Sequence, residues 1–251
     1  MQEYDFCVKI VLLGDFIMVM KYGAKIVLYN SYFDMNDNIS VKSVLNLFQD
    51  LAGIHADMIG VGYEDMLAKN LYWILSRVKF DILKMPVPNQ TVVVETWPHE
   101  KGRIDFDRDF KISSETGEVL IVGTSKWCVI DTVSRSLQRT DNVNYNGEIC
   151  LDKNYADKFG KIVIPNDGFE EAFTHTVRFS DLDHNKHMNN TNYALLSANA
   201  VTNQKFSHFE INFLSECLFG DNIVVKHTKT EEGEFVIGTN ADKIAFSVLV
   251  K

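Results

Sequence analysis

Asp183, Asn185 and His187 occupy alternate positions in a short polar stretch, residues 180–190. Residues 174–179 before it predict a strand. If that strand continues in extended form, the three side chains lie on one face. A carboxylate, an amide and an imidazole would then converge, and an imidazole exchanges protons near neutral pH. The spacing therefore predicts a site for acid–base chemistry.

A helix is predicted directly after this stretch. Asn189 and Asn190 are good N-cap residues, and residues 193–200 can continue the helix. Its free amides would face the polar side chains and could hold a developing oxyanion, which suits acyl transfer. The alternative is a polar turn that only caps the helix, because turns favour the same residue types.

Two similar series of elements would position such a site. Each series is a strand, a polar turn, a helix and then a run of antiparallel strands. The predicted strands are 25–29, 71–83, 91–97, 103–112 and 119–130, then 173–179, 205–214, 222–230, 234–240 and 243–250. The first helix is predicted from its N-cap Ser40 to about residue 59. This order is typical of an α+β tandem hotdog, in which each half is a long helix wrapped by a curved antiparallel sheet.

The series divide the chain into predicted domains at 24–140 and 172–251, joined by a polar linker at 141–171 that would cross the surface. Residues 1–23 are interpreted either as an N-terminal extension or as a start-site artefact. Charges interrupt their apolar run, which argues against a signal peptide and a membrane span.

The polar turns of the two halves can be aligned, with residues 34–38 on residues 181–185. This alignment places Ser40 opposite His187. The first half would then retain a helix cap and lack the imidazole. Only the second half could carry out histidine-dependent chemistry.

Charge and cysteine usage exclude several classes of protein. The formal net charge of −9 over 251 residues argues against a nucleic-acid binder. Four scattered cysteines lack C-x-x-C pairing, so neither a disulfide framework nor a metal site is expected and a reducing cytoplasm is predicted. These cysteines are Cys7, Cys128, Cys150 and Cys217.

Residues 181–193, D-L-D-H-N-K-H-M-N-N-T-N-Y, resemble the D-L-D-x-N-x-H-V-N-N-x-x-Y signature of plant and bacterial acyl-acyl-carrier-protein thioesterases. Met188 replaces the usual valine. Further stretches resemble motifs of this family in the same order along the chain. They are 70–77 (N-L-x-W-x-x-x-R), 95–97 (D/E-T-W), 116–118 (T-G-E), 125–131 (S-x-W-x-x-x-D/N) and 215–217 (x-E-C).

The resemblance implies two fused hotdog domains and hydrolysis of the thioester that joins a fatty acyl chain to a carrier protein. It implies no metal or redox cofactor, because phosphopantetheine belongs to the substrate. The expected partners are acyl carrier protein and a fatty acyl chain, and a homodimer is left open. Two alternatives remain: an acyl-CoA thioesterase of the same architecture and a non-catalytic acyl-binding module.

Carried over residue by residue, the family's functional positions are Asp183, Asn185, His187 and Glu216. We interpret Glu216 as a general base acting on water and His187 as a proton relay. Asn185 and the helix amides near Asn189 and Asn190 would polarise the substrate. Asp183 would fix the geometry of the histidine and the asparagine as an acceptor.

Cys217 is an alternative nucleophile. If the strand through Phe213 continues, Cys217 and Glu216 face opposite sides, and Cys217 shares a face with the core residues Phe209 and Ile211. An inert buried thiol is therefore favoured.

Four first-half residues are expected in the core, and the resemblance suggests that some of them also line an acyl tunnel. They are Phe48, Met58, Met66 and Trp73.

Overall fold

The computed structural model describes residues 11–13, 16–18, 21–145, 150–157 and 159–251. The interpretation of residues 1–23 therefore lies largely outside the described residues, as does Cys7. The chain divides into two compact units. The first is made of Met1–Leu75 and Leu83–Lys158, and the second of Ser76–Ile82 and Phe159–Lys251.

The first unit packs one long helix against antiparallel strands. Its elements are β1 (Val11–Leu13), β2 (Phe16–Met18), β3 (Tyr22–Leu28), α1 (Val41–Met58), α2 (Tyr63–Leu67), the start of β4 (Leu71–Ile82), β5 (Gln90–Pro98), β6 (Phe106–Ser114) and β7 (Val119–Asp131). The strands lie in the order β3-β5-β6-β7-β4, and β1 pairs separately with β2. Ser40 begins α1 as predicted, because its side chain accepts a hydrogen bond from the Ser43 amide.

The second unit repeats this plan with a shorter helix. It contains the end of β4, β8 (Glu170–Thr176), α3 (Asn190–Ala200), β9 (His208–Phe213), β10 (Asn222–Thr230), β11 (Gly233–Asn240) and β12 (Lys243–Val250). The strands lie in the order β4-β9-β12-β11-β10-β8. Helix α3 has 11 residues, whereas α1 has 18. The predicted tandem hotdog fold is confirmed. Among the described helices, none combines the length and the apolar character needed to cross a membrane.

Strand β4 changes its buried face along its length. Leu71 and Leu75 are buried in its first part, and Val78 and Phe80 in its second part. The buried positions therefore shift from odd to even numbers where the strand passes from the first unit to the second. One regular alternation of buried and exposed residues therefore does not describe the whole strand predicted at 71–83.

The segment predicted as a surface linker contains packed residues. The Val143 side chain is fully buried, and Phe159 is nearly so. Asn154 donates hydrogen bonds to the carboxylate of Asp109 and to the carbonyl oxygens of Phe110 and Gly123. The prediction that this stretch only crosses the surface is wrong for these residues, because a few apolar and amide groups anchor an otherwise polar segment.

Candidate active site

The polar stretch folds as a tight turn. Leu182 and Met188 form an antiparallel bridge, and the Asp183 amide donates to the His187 carbonyl at 2.9 Å. Lys186 adopts a φ of 65°, in the left-handed region that reverses the chain. The predicted extended strand, with Asp183, Asn185 and His187 on one face, is therefore wrong.

Asp183 holds this turn through the backbone. Its Oδ1 accepts hydrogen bonds from the amides of Asn185 at 2.8 Å and His187 at 3.4 Å. Aspartate commonly stabilises turns in this way. The carboxylate thus orients the segment that carries His187, while Asn185 and His184 are exposed at the turn tip.

The loop after β9 meets this turn and brings Glu216 to His187. The Met188 amide donates to the Cys217 carbonyl at 2.9 Å, and His187 bridges with Leu218. His187 Nε2 lies 3.6 Å from Glu216 Oε2. The two side chains are 25% and 40% exposed, so a small reactant can reach both.

Tyr193 of α3 anchors the segment that presents Glu216. Its hydroxyl accepts a hydrogen bond from the Cys217 amide at 2.9 Å and donates a long one to the Ser215 carbonyl at 3.5 Å. Burial raises the pKa of Tyr193, so the hydroxyl stays protonated and can donate. Sequence reasoning assigned Tyr193 no role, although it is the last residue of the signature.

The Cys217 side chain is fully buried, as predicted, and burial raises the pKa of its thiol. A nucleophilic cysteine must be accessible as the thiolate, so this environment disfavours Cys217 as the nucleophile. The burial of Cys217 does not come from strand alternation, as predicted, because β9 ends at Phe213 and the regular alternation does not extend to Cys217.

Asn189 is the N-cap of α3, as predicted. Its Oδ1 accepts from the amide and from the hydroxyl of Thr191, both at 2.9 Å. Its carbonyl accepts from the Asn192 amide at 2.9 Å. These two amides therefore already have partners, and Asn190 opens the helix.

The four tunnel candidates have different surroundings. Phe48 stacks on Phe110 with ring centroids 4.2 Å apart, and Met66 is fully buried. Trp73 packs edge-on against Phe106, with ring centroids 4.9 Å apart. Met58 is 46% exposed, so the core prediction is wrong for this residue, which lies on the outer side at the end of α1.

Carboxylates engage several histidines of the chain. The pairs are His99–Asp109 at 3.1 Å, His175–Asp181 at 2.8 Å, His208–Asp81 at 2.7 Å and His227–Glu234 at 2.9 Å. Within the described residues, no group of three or more histidine, cysteine, aspartate or glutamate side chains is placed to hold a metal ion.

Comparisons with known proteins match both halves of the chain. The family model of the acyl-ACP thioesterase N-terminal domain matches residues 19–145, and that of the C-terminal domain matches residues 166–245. A chloroplastic palmitoyl-acyl carrier protein thioesterase of Gossypium hirsutum is 32% identical over 61% of this chain and 40% of its own length. A chloroplastic oleoyl-acyl carrier protein thioesterase of Coriandrum sativum is 25% identical over 90% of this chain and 68% of its own length.

Solved structures share the fold. An acyl-ACP thioesterase from Bacteroides thetaiotaomicron superposes with a TM-score of 0.82 at 21% identity, covering 92% of this chain and 97% of that one. The 12:0-ACP thioesterase from Umbellularia californica gives a TM-score of 0.77 at 20% identity, covering 96% and 98%. Both similarities support the two-unit architecture.

Proposed function

Because this chain belongs to the acyl-ACP thioesterase family, we propose that it hydrolyses the thioester between a fatty acyl chain and the phosphopantetheine of an acyl carrier protein. The released products are a free fatty acid and the carrier thiol. The observation that carries this proposal is the His187–Glu216 pair, 3.6 Å apart and accessible from solvent. The names of the relatives, which specify palmitoyl and oleoyl carrier-protein substrates, support the same substrate class.

The spacing of this pair suits activation of a water molecule. A separation of 3.6 Å exceeds a good direct hydrogen bond. A water hydrogen-bonded to both atoms at about 2.8 Å would bridge them, at the apex of a triangle. Glu216 would accept a proton from this water as general base, and His187 would orient the water.

The proposed reaction forms one carbon–oxygen bond and breaks the carbon–sulfur bond of the thioester. The water oxygen adds to the thioester carbonyl carbon while Glu216 takes the proton. The tetrahedral intermediate collapses with cleavage of the carbon–sulfur bond, and His187 relays the proton to the leaving sulfur. We propose that this uses only water and side chains, with no metal or redox cofactor.

Asn185 and the start of α3 are proposed to polarise the carbonyl. Asn185 is exposed at the turn tip, where its amide can reach a bound substrate. The N-terminus of α3, at Asn189 and Asn190, adds a positive dipole end. Asp183 would act through the backbone of the turn that carries His187.

We propose that the protein works in a reducing compartment, because its scattered cysteines lack C-x-x-C pairing. Among the described residues, Cys150 and Cys217 are cysteines without a disulfide bond. The proposed partner is an acyl carrier protein, and a homodimer is a separate proposal that size measurement in solution tests.

Glu216→Gln tests the mechanism, because the amide keeps the size of the side chain and cannot accept the proton. We expect kcat on acyl-carrier-protein substrate to fall by about 10²–10⁴-fold. Glu232→Gln, at an exposed glutamate of the same unit, should retain wild-type turnover and serves as the matched control. Wild-type turnover in Glu216→Gln would remove this residue as the base.

The substrate class needs a separate comparison. Acyl-carrier-protein and acyl-CoA thioesters with the same chain should be hydrolysed at different rates, with a higher kcat/KM for the carrier-protein substrate. A preference for the CoA thioester would favour the alternative enzyme class.

A further inference from the structure

The loop that presents Glu216 is held on its far side by the side chain of Asp221. Asp221 Oδ2 accepts a hydrogen bond from the Leu218 amide at 2.8 Å, and the Asp221 amide donates to the Leu218 carbonyl at 3.1 Å. Leu218 follows Glu216 by two residues and forms the backbone bridge with His187. Asp221 therefore fixes the residue through which the loop pairs with the turn that carries His187.

A second side chain orients this carboxylate. Asn240, at the end of β11, donates from Nδ2 to the same Oδ2 atom at 2.7 Å. An ionised carboxylate only accepts, so Asn240 must present its amide nitrogen and its orientation is defined. The backbone of Asp221 is fixed as well, because its carbonyl accepts from the Val177 amide at 2.8 Å. The contacts thus run from the sheet through Asn240 and Asp221 to the loop.

The side chain of Glu216 depends on this loop for its position. It is 40% exposed, so surrounding atoms enclose only part of it. Its distance of 3.6 Å to His187 must then be set largely by the backbone on either side. The hydroxyl of Tyr193 binds the residues that flank Glu216, and Asp221 binds the next amide along the chain. The loop therefore has two side-chain anchors.

The first unit has a similar loop with a neutral anchor. The Val87 amide donates to Gln90 Oε1 at 3.0 Å, and the Gln90 amide donates to the Val87 carbonyl at 3.1 Å. The residue before each anchor has a positive φ, 64° at Asn89 and 86° at Gly220. Gln90 therefore corresponds to Asp221. The fold of the loop requires an acceptor at this position but no charge.

The partner of the anchor also differs between the units. Asn240 lies opposite the second residue after Asp221, because β10 pairs with β11. Ser114 lies opposite the second residue after Gln90, because β5 pairs with β6. The Ser114 hydroxyl contacts the Thr116 hydroxyl at 2.9 Å, within its own turn. The carboxylate and its amide partner thus occur together in the second unit, which carries the proposed reaction.

A carboxylate suits a loop that must hold a base in place. A hydrogen bond from an amide to an ionised carboxylate is stronger than one to a neutral amide oxygen. Asp221 also has fewer rotatable bonds than Gln90, so less conformational entropy is lost when it is fixed. Two donors on one oxygen, from Leu218 and Asn240, restrict its direction. The anchor of the second unit is therefore the stronger of the two.

We propose that Asp221 is a positioning residue for hydrolysis. Its carboxylate holds the Leu218 amide in place, and the loop then presents Glu216 to His187. Asn240 orients this carboxylate, and neither side chain needs to contact the substrate. This role rests on the proposed function, because Glu216 is the base through which Asp221 acts.

The kinetics of Asp221→Ala test this role. The variant removes the acceptor of the Leu218 amide. We expect kcat to fall about tenfold and KM to change less than about twofold, because the base is displaced and the substrate is not. Asp221→Asn keeps an oxygen that can accept both hydrogen bonds, and kcat should stay within about threefold of wild type. Wild-type kcat in Asp221→Ala would overturn the proposal.

Gln90→Ala is the matched control, since it removes the acceptor of the Val87 amide from the corresponding loop. We expect a comparable fall in Tm in both alanine variants and a fall in kcat only in Asp221→Ala. Equal falls in kcat would show that lost stability, and not displacement of Glu216, causes the effect. This result would refute the positioning role.

A double-mutant cycle separates this role from the proposed function. If Asp221 acts through Glu216, Asp221→Ala should not lower kcat further in the Glu216→Gln background. Equal fold losses of kcat in both backgrounds would overturn the positioning role and leave the hydrolytic function in place. Wild-type turnover in Glu216→Gln alone would instead remove Glu216 as the base and, with it, this role.

Amide hydrogen exchange follows the loop without relying on turnover. We expect Asp221→Ala to speed exchange of the Leu218 amide at least about tenfold, and Asp221→Asn to keep it within about threefold of wild type. Asn240→Ser, which introduces the residue of the first unit, keeps the proposal testable if Asp221→Ala does not fold. It should lower kcat about threefold, because the carboxylate loses its orientation. Unchanged kcat and unchanged Leu218 exchange in Asn240→Ser would contradict the proposal.

Discussion

The polar turns of the two units have the same pattern of backbone hydrogen bonds but carry different side chains. The Asp34 amide donates to the Asn38 carbonyl at 2.8 Å, as Asp183 does to His187 at 2.9 Å. Asp34 Oδ1 accepts from the amides of Asn36 and Asn38, in the manner of Asp183. Each turn is followed two residues later by a helix cap, Ser40 in the first unit and Asn189 in the second. The first unit therefore has Asn38 at the place of His187.

The alignment drawn from sequence was two residues out of register. It placed Ser40 opposite His187 because it matched the first turn to residue 181, the first of two aspartates in the signature. The structure shows that the second aspartate, Asp183, closes the turn. The hydrogen bonds of the turn, and not the similarity of residue types, identify the equivalent residue.

The loop after β4 corresponds in the same way to the loop after β9. The amides of residues 83 and 84 donate to the Leu120 carbonyl, as those of residues 214 and 215 do to the Ala245 carbonyl. Asn89 and Gly220 both have positive φ. This correspondence places Met85 at the position of Glu216.

The anchor of the loop also differs between the units. The same correspondences place Pro86 opposite Cys217 and Val44 opposite Tyr193. Proline has no amide hydrogen, so a hydroxyl partner is unnecessary in the first unit. The fold thus provides the turn and the loop in both units, whereas a few side chains provide the chemistry in one.

The largest expected effect comes from giving the second turn the residue of the first. His187→Asn should lower kcat/KM for acyl-carrier-protein hydrolysis by about 10²–10⁴-fold, because the imidazole is lost as proton carrier. The fold should survive, since the first turn accommodates Asn38. Circular dichroism checks the fold, and Asn38→His is the reciprocal control, which should leave turnover unchanged. Activity near wild type in His187→Asn would show that hydrolysis does not depend on the imidazole.

Tyr193→Phe removes the hydroxyl that anchors the Glu216 loop. The buried Cys217 amide loses its partner, which should cost about 1–3 kcal/mol of stability. We expect kcat to fall about tenfold with little change in KM, because Glu216 is positioned less well. A shift in the pH–rate profile would accompany this fall. Tyr29→Phe, at an exposed tyrosine, serves as control, and an unchanged kcat would exclude a positioning role for Tyr193.

The pH dependence of stability should distinguish β9 from β4. Burial opposes the charged form of His208, but hydrogen bonds to Asp81 and Glu210 outweigh it and raise the pKa of His208 to about 9. Because the pKa is higher in the folded state, protonated His208 stabilises the fold fully below pH 6.5, the ordinary pKa of histidine. This stabilisation is lost as the pH rises through about 9.

The corresponding position in β4 is occupied by Arg77 and not by a histidine. Urea unfolding at several pH values should show wild type exceeding His208→Gln by about 1–3 kcal/mol near pH 6, with this pH-dependent excess lost near pH 10. A difference that stays constant with pH would contradict the prediction.

The smallest effect is expected from substitution of the two turn aspartates, which can be compared directly. Asp34→Ala and Asp183→Ala should each lower the free energy of unfolding by about 1 kcal/mol, because two backbone amides lose an acceptor. Only Asp183→Ala should also lower kcat, since its turn carries His187. Paired urea unfolding and kinetic measurements check this, and equal losses of activity in both variants would contradict it.

Much of the fold could be predicted because its signals are local. The N-cap Ser40, the apolar period of α1 and the bounds 222–230 and 243–250 follow from neighbouring residues. The shift of the buried face in β4 could not be predicted, because each part of the strand packs in a different unit. The packing of Val143 in the predicted linker depends equally on distant partners.

Local sequence patterns define the two-unit plan, the helix caps and the identities of the side chains available for chemistry. Long-range packing determines that residues 183–187 form a turn, that Glu216 approaches His187 and that the Tyr193 hydroxyl anchors the loop that carries Glu216. Local preferences act over a few residues along the chain. The contact between residues 187 and 216 exists only after β9 and α3 have packed into one unit.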